Sequence, residues 1–162
     1  MAMMFKIIDN YLKLDEHLIL KTAMESDTFP WFFNEHKVFD ENKLFHYQFV
    51  HIFYTKDKIN SPFFNKLDPL IKRLKPLSLI RIKANLNPIS TNLIEFKQHK
   101  DQSFKCKIAI YYLNDNDGYT MIGKEKIHSK KNRMVLFNST QEHYGTSSTN
   151  CKNRMVINFN YF

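Results

Sequence analysis

A chain of 162 residues, 43% apolar and 25% charged, has the size of one domain and buries about two thirds of its unfolded surface, so a single domain over 1–162 is expected. Its net charge of +8 and pI near 9.4 admit an anionic partner, but the lysines are scattered among Asn, Ile, Phe and Tyr as AT-rich coding sequence would scatter them, so charge alone does not define a nucleic-acid binder. No apolar run reaches the roughly 20 residues of a membrane span, Met1 to Lys6 lacks the layout of a secretory leader, and two cysteines, Cys106 and Cys151, cannot build a disulfide framework, so free thiols and a cytoplasmic location are expected.

In chain order, Phe5 to Ile8 reads as a short strand, and Leu14 to about Ser26 as a helix with Leu14, Leu18 and Lys21 or Thr22 along one side. Phe29-Pro-Trp-Phe-Phe33 is an aromatic cluster. Trp31, Phe32 and Phe33 are most simply core residues, with the lining of a substrate entrance as the alternative. Tyr47 to Tyr54 returns to strand chemistry. Ser61-Pro62 and Asp68-Pro69 each place a capping residue before a proline, which predicts two short helices or one kinked helix up to Lys75. Residues 1–76 therefore read as mostly helical support with strands.

From Leu77 onward the pattern is strand after strand. Between Ser78 and Leu86 the residues Ile80, Ile82, Ala84 and Leu86 share one face, and Arg81, Lys83 and Asn85 the other, so a polar face is available to line a ligand cavity. His99-Lys-Asp101 then places two ligand-type side chains on one side of an extended segment. Lys105 to Leu113 is β-rich and Asn114 to Gly118 supplies a turn. A third candidate ligand, His143, follows downstream. A strand-like run from Asn153 to Tyr161 ends the pattern, with Arg154, Val156 and Asn158 opposite Met155, Ile157 and Phe159. Two histidines and one carboxylate form the 2-His-1-carboxylate facial set that holds Fe(II) with one face left open. His17, His36, His46, His51 and His128 have no partner at ligand spacing and read as surface or satisfied core residues. No Walker loop, dinucleotide-binding glycine pattern, nucleophile elbow or paired-cysteine zinc site is present.

The ordered set His99-x-Asp101, Ile110-Tyr-Tyr-Leu-Asn114, Gly118-Tyr-Thr120, Met134-Val-Leu-Phe137, His143 and Arg154 resembles the 2-oxoglutarate- and Fe(II)-dependent oxygenases on their prolyl-hydroxylase-like side. It is similar in particular to small members from marine phages and environmental bacteria. The resemblance covers about residues 77–162. It implies a mainly β chain (α+β overall), with a double-stranded β-helix core of the jelly-roll, cupin-like kind as the catalytic part, 77–162, and N-terminal helices packed outside; no C-terminal lid is expected after Phe162. It implies Fe(II) on His99, Asp101 and His143, with 2-oxoglutarate as co-substrate and dioxygen as oxidant. Arg154 would hold the distal carboxylate of 2-oxoglutarate. Tyr112 would join it, although it reads equally as a core tyrosine, and Asn85 is a candidate for the proximal end.

Two departures from the family pattern bear on co-substrate geometry: Val156 where many members place a hydroxyl, and a single Gly118 where many have a pair. The expected activity is a dioxygenase that hydroxylates a protein or peptide side chain while converting 2-oxoglutarate to succinate. The alternatives are oxidation of a nucleobase, suggested by the lysines around Lys97 to Lys107 and Lys124 to Lys131, and a non-catalytic cupin-like barrel that binds a metal or a small acid.

Overall fold

The computed structural model describes residues 5–35 and 46–162; His36 lies outside them. The chain runs β1 (Phe5–Ile8), α1 (Leu14–Glu25), β2 (Phe32–Asn34), β3 (Gln48–Thr55), β4 (Lys58–Ile59), a 3-10 turn (Phe64–Leu67), α2 (Asp68–Leu74), β5 (Leu79–Pro88), β6 (Lys107–Tyr112), β7 (Tyr119–Ile122), β8 (Glu125–His128), β9 (Arg133–Asn138), β10 (His143–Gly145) and β11 (Asn153–Tyr161). One large antiparallel sheet has the order β1-β9-β6-β11-β5-β3-β2, with β4 beside β3, and a small sheet has the order β10-β7-β8. Residues 94–99 extend the small sheet along β10 through bridges between Glu95 and Thr146 and between His99 and His143.

From β5 onward the chain alternates between the two sheets: β5 in the large one, 94–99 in the small, β6 large, β7 and β8 small, β9 large, β10 small, β11 large. That alternation is the jelly-roll winding of a double-stranded β-helix. The N-terminal region adds more than helices, because β1 lengthens the large sheet at one edge and β3 with β2 at the other.

The large sheet is covered on both faces. Ile82, Ala84, Ala109, Tyr111, Met155, Ile157 and Phe159 face the helices, where they meet Leu20, Met24, Leu67 and Leu70. Ile108, Ile110, Tyr112, Val135, Phe137 and Val156 face inward against Ile122 and Ile127 of the small sheet. The expected alternation of β5 holds with one exception. A register shift opposite Asn160 and Tyr161 leaves Ile80 as an extra residue, and the bulge turns it to the inner cluster instead of the helix side.

Helix α1 forms where expected but presents a different face. Its buried residues are His17, Leu20 and Met24, while Leu14 and Leu18 are exposed. A polar contact decides this: the His17 Nδ1–H donates to the Tyr111 hydroxyl at 2.6 Å, which donates in turn to Asn132 Oδ1 at 2.9 Å. Burial of His17 is therefore compatible with full hydrogen bonding. The prolines give two short elements, the 3-10 turn and α2, which ends at Lys75 in a left-handed conformation. The aromatic cluster splits. Phe29 is buried and Trp31 half-buried, its indole N–H donating to Met24 O at 3.1 Å, whereas Phe32 and Phe33 are exposed on edge strand β2 and do not belong to the core. Cys106 and Cys151 are free thiols. No helix among the described residues is long and apolar enough to cross a membrane.

Candidate metal centre

His99 closes the 94–99 segment and His143 opens β10. Their backbones exchange two hydrogen bonds of 3.0 Å, so the rings stand side by side with centroids 4.7 Å apart. Asp101 lies two residues beyond His99, and its Oδ1 is 3.5 Å from His99 Nε2 and 3.7 Å from His143 Nε2. One ligand atom from each residue lies within 4.8 Å of the other two. Ligands at right angles about 2.1 Å from one metal ion stand about 3 Å apart, close to the spacing observed.

The surroundings orient each of these groups. Asp101 Oδ2 accepts from Asn158 Nδ2 at 2.7 Å and Asn160 Nδ2 at 3.0 Å, with Arg81 Nη2 at 3.5 Å, which leaves Oδ1 for the histidines. His99 Nδ1 lies 3.0 Å from Lys97 O and His143 Nδ1 3.5 Å from Gln141 O. Protons on the two Nδ1 atoms satisfy those carbonyls, so a metal ion could take, at both Nε2 atoms, the place of the protons that otherwise face Oδ1. Burial alone would raise the Asp101 pKa, but hydrogen bonding from His99, the charges of His143 and Arg81 and the Asn160 amide hold it well below the usual carboxylate range. Burial pushes the His143 imidazole down, against the opposing pull of Asp101. Both directions favour an ionised carboxylate beside a neutral imidazole, the protonation states a metal requires.

Arg154 stands deeper in the barrel, 2% exposed. Its Nε donates to Ser129 Oγ at 2.9 Å and its Nη2 to Thr120 Oγ1 at 3.0 Å. No carboxylate among the described residues pairs with it, and burial lowers its pKa. A buried guanidinium held only by neutral hydroxyls is costly unless an anion completes it.

Of the six residues singled out from the sequence, His99, Asp101, His143, Arg154 and Asn85 line one polar cavity of about 70 Å³. The Asn85 Oδ1 is buried there without a hydrogen-bond partner. Tyr112 stands behind the wall: its hydroxyl donates to Thr120 Oγ1 at 2.7 Å, and its ring lies under the guanidinium with Arg154 Cζ 5.6 Å from the centroid. A larger cleft of about 570 Å³, lined by Tyr47, Pro88, Ile89, Ile94 and Phe96, shares Asn87 with the polar cavity. Among the described residues its lining has no carboxylate, imidazole or cation, so the chemistry is sought in the smaller cavity.

The other histidines take structural places. His51 is buried, with Nδ1 donating to Pro30 O at 2.7 Å and Nε2 accepting from Ser61 Oγ at 2.6 Å. His46 packs on Phe96, and His128 is exposed beside Tyr119.

Sequence reasoning missed Thr120 and Ser129 as partners of Arg154 and Asn160 as a partner of Asp101. Asn158 and Asn160 were within reach, because they continue the Arg154, Val156 alternation along β11. Thr120 and Ser129 come from the small sheet. They supply from across the barrel the hydroxyls that Val156 does not.

The chain thus combines a jelly roll, a His-x-Asp…His cluster and a buried arginine near the start of its last strand. Solved structures agree on the fold. A prolyl hydroxylase from Trichoplax adhaerens, determined with a peptide of the hypoxia inducible factor oxygen degradation domain, superposes with TM-score 0.70 at 15% identity over 99% of this chain and 84% of its own. A 2OG-Fe(II) oxygenase family oxidoreductase from Burkholderia pseudomallei gives TM-score 0.68 at 8% identity, with 99% and 84% coverage. The non-heme alpha ketoglutarate dependent epimerase SnoN of nogalamycin biosynthesis gives 0.69 at 10%, with 98% and 77%. No protein-family model matches the sequence, and no curated protein sequence does.

Proposed function

We propose that this protein is a 2-oxoglutarate- and Fe(II)-dependent dioxygenase that hydroxylates a protein or peptide side chain. The observation that carries the reading is the pairing, in one cavity, of the His99, Asp101, His143 cluster with a buried Arg154 that has no carboxylate of its own among the described residues. A dicarboxylate completes both halves, with one end beside the three ligands and the other on the guanidinium.

Fe(II) with 2-oxoglutarate supplies the oxidising chemistry, in which dioxygen is consumed, the co-substrate leaves as succinate and carbon dioxide, and one oxygen atom enters a substrate C–H bond. The protein's part is binding and orientation. His99 and His143 give neutral nitrogens and Asp101 an anionic oxygen, each held by the contacts described above. Arg154 forms charge-assisted hydrogen bonds to the distal carboxylate, steered by Ser129 and Thr120. Tyr112 acts through Thr120 and by supporting the guanidinium, and Asn85 offers a polar contact to the proximal end of the co-substrate. The peptide preference is supported by the overall likeness to a prolyl hydroxylase solved with a peptide and by the cleft of about 570 Å³ adjoining the site.

Anaerobic addition of Fe(II) and 2-oxoglutarate is expected to give a visible metal-to-ligand charge-transfer band, and admission of oxygen to release succinate. A protein that binds both without succinate formation, with or without peptides, is instead a binding barrel.

A further inference from the structure

The inward face of β5 carries two cations, of which the proposed chemistry uses only the approach of Arg81 to Asp101. Arg81 and Lys83 are two residues apart on one strand and so project to the same side. Lys83 pairs in register with Asn158, the residue that holds Asp101, and lines the metal cavity. Its ammonium makes no hydrogen bond or ion pair among the described residues. The Arg81 Nε is buried and likewise lacks a hydrogen-bond partner, although its Nη2 approaches Asp101 at 3.5 Å. Burial, reinforced by the neighbouring Arg81 charge and opposed by Asp101, lowers the Lys83 pKa to about 8, so the ammonium is still charged at neutral pH.

Position separates this pair from the co-substrate anchor. Arg154 is level with Asn87, four residues and about 13 Å along β5 from Lys83. Charge points the same way. Once a divalent ion is bound, a dicarboxylate cancels the Arg154 charge and what Asp101 leaves of the metal's charge, and Arg81 and Lys83 remain uncompensated. Two half-buried cations side by side, with only the Asp101 carboxylate near them, repel each other.

We propose that Arg81 and Lys83 form a second anion site beside the metal, which takes an oxyanion, carboxylate or phosphate, of the primary substrate next to the carbon that reacts. The proposal rests on the dioxygenase reading and narrows its substrate to one with an acidic group near the oxidised position.

The test uses the full chain loaded with Zn(II), which supports no turnover, and saturating 2-oxoglutarate, which fills Arg154. Sodium acetate and sodium sulfate are titrated separately at ionic strength held constant with sodium chloride, and the melting temperature is read. Wild type is expected to show saturable stabilisation by at least one anion, with a midpoint at least ten-fold weaker in Lys83→Met and restored in Lys83→Arg. A response to acetate alone marks a carboxylate substrate; a response to sulfate marks a phosphate. Equal midpoints in wild type and Lys83→Met, no response to either anion, or a Lys83→Met protein that loses 2-oxoglutarate affinity instead, overturns the proposal. Direct titration of 2-oxoglutarate into the Zn(II)-loaded protein, before any other anion is added, separates the two readings. A Lys83-dependent anion response without any 2-oxoglutarate binding sustains the anion site and sinks the dioxygenase; tight 2-oxoglutarate binding with a Lys83-independent response does the reverse.

Discussion

At the scale of single residues, ligands and anchor are separable. His99→Ala, Asp101→Ala and His143→Ala each remove one of three ligand atoms grouped within 4.8 Å, and each is expected to abolish Fe(II) retention and uncoupled succinate formation while circular dichroism stays near wild type. Normal turnover by Asp101→Ala would remove the metal assignment. Arg154→Ala deletes a charge-assisted contact worth roughly 1.5 to 3 kcal/mol, which weakens 2-oxoglutarate by about ten- to a hundred-fold while iron still binds. Tyr112→Phe removes only the hydroxyl bonded to Thr120 and has a smaller effect in the same direction. An unchanged 2-oxoglutarate dissociation constant in Arg154→Ala would put the anchor elsewhere. The shared side of His99 and Asp101, and of Arg154 and Asn158, was legible because strand alternation converts spacing into a face; His143 and Tyr112 were singled out through the family resemblance. Thr120 and Ser129 were not, since nothing in one sequence says which residue of the other sheet lies opposite.

At the scale of elements, the turn into β7 sets where Arg154 can stand. A Cβ on Gly118 would come within 2.5 Å of Ser147 O and 2.6 Å of Arg154 Cδ, and a backbone oxygen cannot yield as a side chain does. Gly118→Ala is therefore expected to lower stability by about 1 to 3 kcal/mol and to weaken 2-oxoglutarate with little change in iron binding, read by melting temperature and by titration. An alanine variant with wild-type values for both would show that the turn moves freely. Strands β1, β3, β5, β6 and β11 and the existence of α1 were legible in the residue pattern, whereas the short strands β7, β8 and β10 of the small sheet were not. The orientation of α1 was not legible either, because the decisive contact is a histidine whose partner Tyr111 lies 94 positions away, and periodicity scores His17 as polar. Phe32 and Phe33 misled in the opposite sense, since hydrophobicity does not reveal that β2 ends as a sheet edge.

For the whole molecule, pH and salt report on charges that the fold buries or leaves in solvent. Burial lowers the pKa of His17 and of His51 below the ordinary 6.5, and protonation of His51 would also cost its bond from Ser61. The unfolded chain then takes up protons first as pH falls, so this stability is complete above about pH 6.5 and drains away between there and the lowered folded values. Urea midpoints of metal-free protein should fall through that window, less steeply in His51→Gln; a flat profile would mean the two rings titrate normally. Salt addresses the lysines that suggested a nucleobase substrate. Lys130 is held by Asp9 at 2.9 Å and Lys131 lies 3.8 Å from Asp115, while Lys126 and Lys107 sit over Tyr119 and Tyr161. Of the eight, only Lys97, Lys100, Lys105 and Lys124 are exposed without a partner among the described residues, and at about 0.7 per phosphate neutralised on a single strand they allow a log–log salt slope no steeper than about −3. Binding of single-stranded oligonucleotides is accordingly expected to be weak at physiological salt, with no rise in succinate above the uncoupled rate. A steeper slope together with oligonucleotide-stimulated turnover, lost when Lys124, Lys126, Lys130 and Lys131 are replaced by alanine, would displace the peptide in favour of a nucleobase, because those four side chains lie on and beside the small-sheet hairpin β7–β8 and share only the barrel with the metal centre.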